Sequence, residues 1–355
     1  VPDMRFAPPN PLRIADRASG LNAPSVRSYN ERLVLSLLLQ NESTTRLEIG
    51  QKTGLSAQTI SVIVRSLEQE SLVAKGEAQR GRMGPPTIPM ILNPEGAFSV
   101  GVSFGTRGAD VVVIDFVGNI RFHKAHRYED IEGEHDTPLK APIDEAIRSV
   151  DHAMRGRIAG IGLAVPDESL VGPGIRKTLG HDLADAQAGL EIALGLPVFM
   201  QNDVTAAAGG ESLFGVARQL SDFVFFYLGS RLQCRLVLNH QIHNGSVAPD
   251  AVGGLLDLAD AMKRPNSPSN DEAAMSAWRA RCRDRIVDSV SALLGFVGVQ
   301  SLVLSTNAPA GTADPLLREI TAALSHMTVL PGKISTAPKA WGAASLPYHS
   351  RFMVQ

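Results

Sequence analysis

The chain has 355 residues, enough for two or three domains that each bury a core of their own. It is 44% hydrophobic and 20% charged, a globular balance, and its formal net charge of −2 excludes a protein that coats nucleic acid along a continuous basic track. Cys234 and Cys282 are its two cysteines, too few for a disulfide framework or a four-cysteine zinc site and in keeping with a reducing cytoplasm, and no apolar run approaches the roughly 18 residues a bilayer span requires.

Residues 1–28, with Pro8, Pro9, Pro11 and Pro24 among polar neighbours, read as an irregular arm and not as a signal peptide. From Tyr29 the texture becomes helical, with Leu33 and Leu37, and Val34 and Leu38, four residues apart. Thr45-Arg46-Leu47-Glu48 has the form of a capping box and opens a second short helix to about Lys52. Gly54 supplies the following turn. Ser56 then caps a third helix whose stripe of Leu55, Ile60, Ile63, Val64 and Leu67 leaves Ala57, Gln58, Thr59, Ser61 and Arg65 facing outward. Small polar side chains at an exposed helix start suit entry into a DNA major groove. Leu72–Lys75 and Ile88–Leu92 read as two strands around a loop holding Gly81, Gly84, Arg80 and Arg82. The ensemble is a winged helix-turn-helix over residues 29–92, with Thr45, Ser56, Ala57, Gln58, Thr59, Ser61, Arg65, Arg80 and Arg82 as the candidate DNA-binding residues.

Beyond Phe98 strands and helices alternate, which predicts an α/β domain over residues 97–355. Strands are expected at Ser99–Val102, Val111–Phe116, Ile158–Val165, Pro197–Gln201, Phe223–Leu228, Leu236–Leu238 and Ser301–Leu304, and helices at Pro142–Met154, Leu183–Leu194, Val204–Leu213 and Trp278–Val297. His240 and His243 fall in a polar stretch read as a solvated turn.

Four segments, Leu92-Asn93-Pro94, Gly160–Pro166, Leu194–Ala208 and Glu211–Gly215, closely resemble the ROK family of repressors and sugar kinases. Asp222–Gly229, Leu236–Asn239 and Trp341–Ala344 extend the resemblance. It implies an actin-like, ribonuclease-H-like pair of lobes and, with the N-terminal module, a cytoplasmic transcriptional regulator, usually a carbohydrate-responsive repressor. The implied partners are double-stranded DNA with a pseudo-palindromic operator, a second copy of the chain in a dimer or tetramer, and a small-molecule carbohydrate effector; no membrane is among them.

Phosphoryl transfer needs a metal carboxylate and a glycine-rich phosphate cradle. Where family kinases carry an Asp-x-Gly-Gly-Thr loop this chain reads Ser103–Arg107, and where they carry a second glycine-rich loop it reads Gly229–Arg235. The family's base position is occupied by Asp203, which equally suits a helix cap. Val252 and Leu255 stand where the sugar-binding or zinc-binding Glu and His would be, and the cysteine cluster is missing. No catalytic residue, cofactor or metal is therefore expected. Asn202, Asp203, His181, Asp182 and Arg231 remain as candidate ligand-binding residues. Three readings stand: a ligand-sensing regulator, a regulator whose second domain is ligand-blind and serves dimerisation or protein contact, and an ATP-dependent sugar kinase.

Overall fold

The computed structural model describes residues 23–78, 87–131, 138–167, 171–180, 182–244, 271–308 and 311–354. Helix α1 (Ala23–Asn41) begins inside the stretch expected to be irregular. The reason is that Pro24 lies in the first turn, where its missing N–H leaves no intrahelical bond unmade.

Helix α2 (Arg46–Thr53) carries the predicted capping box: the Glu48 N–H donates to the Thr45 hydroxyl at 3.2 Å and the Thr45 N–H donates to the Glu48 carboxylate at 2.8 Å. Those Thr45 donors hold the Glu48 carboxyl below the usual carboxylate range. The helix stops at Gly54, whose φ of 71° is left-handed backbone that glycine adopts without a Cβ clash. Helix α3 (Ala57–Gln69) starts on the Ser56 cap and buries Ile60, Ile63, Val64 and Leu67. Strands β1 (Val73–Lys75) and β2 (Met90–Leu92) pair antiparallel, and Thr44 adds a bridge to Met90 through bonds of 3.0 and 2.9 Å. The Asn93 amide donates to the Ser71 carbonyl at 2.7 Å while its Oδ1 accepts from the Glu95 N–H, tying the base of the wing to the next segment.

The chain divides into two compact units, one holding the winged module and the first sheet, the other Ala207–Pro338; the chain re-enters the first unit at Lys339. In the first, β3 (Phe98–Phe104), β4 (Gly108–Asp115), β5 (Ile120–Arg127), β6 (Ile158–Val165) and β7 (Val198–Asn202) line up as β5-β4-β3-β6-β7. The β3–β4 and β4–β5 pairs are antiparallel, and β3–β6 and β6–β7 are parallel. Strand β5, absent from the expected set, is an edge strand with exposed Arg121, His123 and Lys124, so it lacks the apolar run that marks a central strand. Helices α4 (Tyr128–Ile131), α5 (Lys140–Ser149), α6 (Pro173–Leu179) and α7 (Leu183–Leu194) fill the connections. The helix expected to run to Met154 ends at Ser149, because Val150 turns extended and Asp151 caps a separate 3-10 turn.

Helix α8 (Asp203–Leu213) follows β7. In the second unit β8 (Phe223–Leu228), β9 (Leu232–Leu238) and β10 (Gln241–Asn244) are antiparallel neighbours, and after α9 (Asp271–Leu294), β11 (Ser301–Thr306), α10 (Ala313–Ala323) and β12 (Thr328–Pro331) complete a sheet ordered β10-β9-β8-β11-β12. Both sheets thus place three antiparallel strands before two parallel ones. Trp278, Cys282, Ile286 and Val290 recur every fourth residue along α9 and pack with Leu302, Leu304, Leu316 and Ile320. The turn expected around both histidines contracts to Asn239 and His240, which adopt φ of 51° and 60°; His243 lies on β10.

Helices α11 (Pro338–Ala343) and α12 (Leu346–Phe352) return the chain to the first unit. They sit so close to the sheet that a Cβ on Gly162 would lie 1.8 Å from the Ala343 carbonyl oxygen, and one on Gly101 2.0 Å from that of Ala340. The Trp341 indole donates to the Gly118 carbonyl at 2.8 Å. Past α12, the Val354 N–H donates to the Ser36 hydroxyl at 3.2 Å and Ser36 reaches the Met353 sulfur at 3.5 Å, so this segment also packs on α1. No helix among the described residues is long and apolar enough to cross a membrane.

Candidate nucleic-acid interface and effector site

Helix α3 presents Ala57, Gln58, Ser61, Val62 and Arg65 on its exposed side. Several of the candidate hydroxyls already have partners. Ser56 Oγ accepts from the Thr59 N–H at 3.1 Å and shares a 2.9 Å hydrogen bond with the Thr59 hydroxyl, while Ser61 Oγ donates to the Ala57 carbonyl at 2.8 Å. Ser61 therefore faces outward as an acceptor, because its single O–H proton is committed to the helix. Thr45 is half-buried and engaged in the α2 cap. Gln58 and Arg65 are exposed, and Arg46 reaches across to Glu68 at 3.7 Å, which ties α2 to α3. Arg80 and Arg82 lie outside the described residues.

The structure adds Val62, 58% exposed one helical turn after Gln58. The apolar stripe of α3 runs through Ile60, Ile63, Val64 and Leu67, so a valine at position 62 is an apolar side chain on the polar face. The signal for it in the sequence is an aliphatic residue out of phase with that stripe.

In the first unit two of the candidate ligand residues, Asn202 and Asp203, lie at the head of α8. Asn202, the last residue of β7, is the cap: its Oδ1 accepts from the Val204 and Thr205 N–H groups at 3.1 Å each, the role that is one of two equal readings of Asp203 in the sequence. Its amide donates to Asp167 Oδ1 at 2.8 Å. Asp203 is the first helical residue and has no solvent exposure. One carboxylate oxygen accepts from the Val204 N–H at 2.8 Å and the other from the ammonium of Lys339 on α11. Asp203 and Lys339 thus form an ion pair whose carboxylate is fully shielded from solvent. Lys339 follows Asp203 by 136 residues, and no spacing in the sequence signals their meeting.

Asp182 caps α7, accepting from the Ala184 N–H at 2.8 Å and the Asp185 N–H at 3.4 Å. Arg231 belongs to the second unit, in the β8–β9 turn, where its carbonyl accepts from the Gly229 N–H at 3.2 Å. His181, Val252 and Leu255 lie outside the described residues.

A winged helix-turn-helix DNA-binding family model matches residues 27–74, and the ROK family model matches residues 99–253. A xylose repressor of Bacillus subtilis is 24% identical over 229 residues, covering 62% of this chain and 58% of that protein. A transcriptional regulator of Mycobacterium tuberculosis is 25% identical over 253 residues, covering 68% of this chain and 57% of that protein. The chain thus spans less than two thirds of the length of these relatives. Among solved structures, a ROK family transcriptional regulator, a homolog of the E. coli MLC protein, superposes with a TM-score of 0.65 at 16% identity, covering 92% of this chain and 98% of that one. A ROK family glucokinase from Streptomyces griseus, in complex with glucose and AMPPNP, gives 0.54 at 18% identity, covering 70% of this chain and 99% of that one. Both are similar in fold.

Proposed function

From the chain's membership of the ROK family, with an N-terminal winged helix-turn-helix, we propose that it is a sequence-specific transcriptional regulator, a repressor whose α/β domain dimerises and does not phosphorylate sugar. The exposed face of α3 carries this reading. It is capped, free of bulky side chains at its start, and offers Gln58, Ser61, Val62 and Arg65. A glutamine amide pairs in two-point fashion with adenine N6 and N7, an aliphatic side chain packs on the thymine methyl, and an arginine reaches guanine or a phosphate. Two copies would present two such helices to the halves of a pseudo-palindrome.

The Asp203–Lys339 pair supports the non-catalytic half of the reading. A general base must take a proton from a bound hydroxyl, and a carboxylate buried against an ammonium and a backbone N–H has both oxygens engaged. Ser103 and Arg231 stand where the family's kinases keep a metal carboxylate and a glycine. The same ion pair, with Asn202 joined to Asp167, engages both residues within the chain and counts against sugar binding through Asn202 and Asp203.

Duplexes selected from a random pool by the purified chain and read by fluorescence anisotropy test the assignment. Gln58→Ala is expected to change the preferred base at one position of each half-site, and Arg82→Ala to weaken all duplexes alike. A chain that selects no sequence, or that turns over ATP with glucose or xylose, overturns the proposal.

A further inference from the structure

A cavity of about 290 Å³ opens between the winged module and the first lobe, inside the first unit and lined by α1, α3, the 3-10 turns Pro94–Gly96 and His152–Arg157, and α12. That volume is at the lower end of small-molecule sites, which begin near 300 Å³. Leu35, Leu67, Leu72 and Phe352 supply its apolar wall and are all buried. Arg32, Arg157 and Arg351 line it as well, with Glu31 and Glu70 as the acidic residues. None of the three guanidinium groups takes part in a salt bridge among the described residues; Arg157 donates to the Glu95 carbonyl at 3.0 Å and Arg351 lies 5.3 Å from the centroid of the Phe352 ring.

We propose that this cavity is a binding site for a small organic carboxylate with a compact apolar body. The carboxylate pairs with the arginine forks, which match its two oxygens, and the body packs on the leucine and phenylalanine wall. Three cations against two carboxylates leave the lining with a net positive charge, which selects an anion over a neutral ring compound. The site is separate from Asn202 and Asp203 and does not rest on the reading of α8. Its occupant would touch α1 and α3 on one side and α12 on the other, so one molecule would bridge the DNA-binding helices and the lobe.

Benzoate, benzyl alcohol and inorganic phosphate, each titrated against the full chain at constant ionic strength and followed by thermal melting, test the proposal. Benzoate is expected to raise Tm saturably, because a ligand bound to the native state stabilises it. Benzyl alcohol should leave Tm unchanged at the same concentrations. Arg351→Gln and Arg32→Gln, at an exposed and a half-buried position, should melt like the native chain without ligand and each weaken benzoate at least about tenfold, the worth of one charge-assisted hydrogen bond. No saturable rise, or a rise that survives both substitutions, overturns the site. A rise with phosphate and none with benzoate overturns the apolar part of its specificity.

Discussion

Replacing Lys339 with Met leaves the Asp203 carboxylate without its cation at a position wholly shielded from solvent. Its other oxygen keeps the Val204 N–H, so the loss is of charge compensation and not of every hydrogen bond. Removing one member of a buried pair typically costs about 3–5 kcal/mol. The Lys339 side chain is 16% exposed, so water reaches part of the site and the lower end, about 3 kcal/mol, applies. Asp203→Asn alone costs less, about 1–2 kcal/mol, because the ammonium left behind can turn to solvent and an amide still accepts from Val204. The double variant holds no buried charge and is expected to be more stable than Lys339→Met alone, with a coupling energy of at least about 1 kcal/mol in the double-mutant cycle. Urea unfolding of the four proteins at neutral pH measures this. A Lys339→Met chain within about 0.5 kcal/mol of the native one, or a double variant as unstable as the sum of the singles, would refute the ion pair as the reason Asp203 is present.

Gly162→Ala should lower stability by about 3 kcal/mol or more, since its Cβ would sit 1.8 Å from a backbone oxygen that cannot rotate away; thermal melts compare it with the native chain. Ser56→Ala removes the α3 cap, and should cost about 1 kcal/mol in urea unfolding. His349 is buried and its pKa falls to about 3. The unfolded chain, titrating near 6.5, therefore takes up the proton first, so this contribution is complete above about pH 6.5 and is lost as pH falls. At pH 5 the loss is about 2 kcal/mol, and His349→Gln should flatten the acid limb of stability against pH. Val62→Ala should reduce discrimination for one thymine by roughly 1 kcal/mol in competition binding, with little change in affinity for unrelated DNA.

The winged module was legible because its signals are local: the Thr45–Glu48 box, Gly54 and the Ser56 cap each act within a few residues, and each is present. Central strands were legible for a related reason, since β6 and β8 are buried along their whole length and read as apolar runs. Strands β5 and β12 were not. The first is largely exposed, with Ile120 and Phe122 its only large apolar residues, and the second is four residues long and half-exposed, so neither carries an apolar run long enough to mark a strand. At the head of α8 the residues were legible but their partners were not. Asp167 and Lys339 come from segments 35 and 136 residues away, and only the sheet and the returning helix bring them together.

The bond from Val354 to Ser36 joins positions 318 residues apart. A ribosome therefore delivers all of the second unit before α1 can gain its contacts with Phe352, Met353 and Val354. The caps of α2 and α3 need only residues within a few positions, whereas the wall that α1 shares with α12 stays open to solvent until the last segment is made. The seating of α1 against α12 is thus a contact that only the completed first unit can make, whatever the local signals of the capped helices form before it.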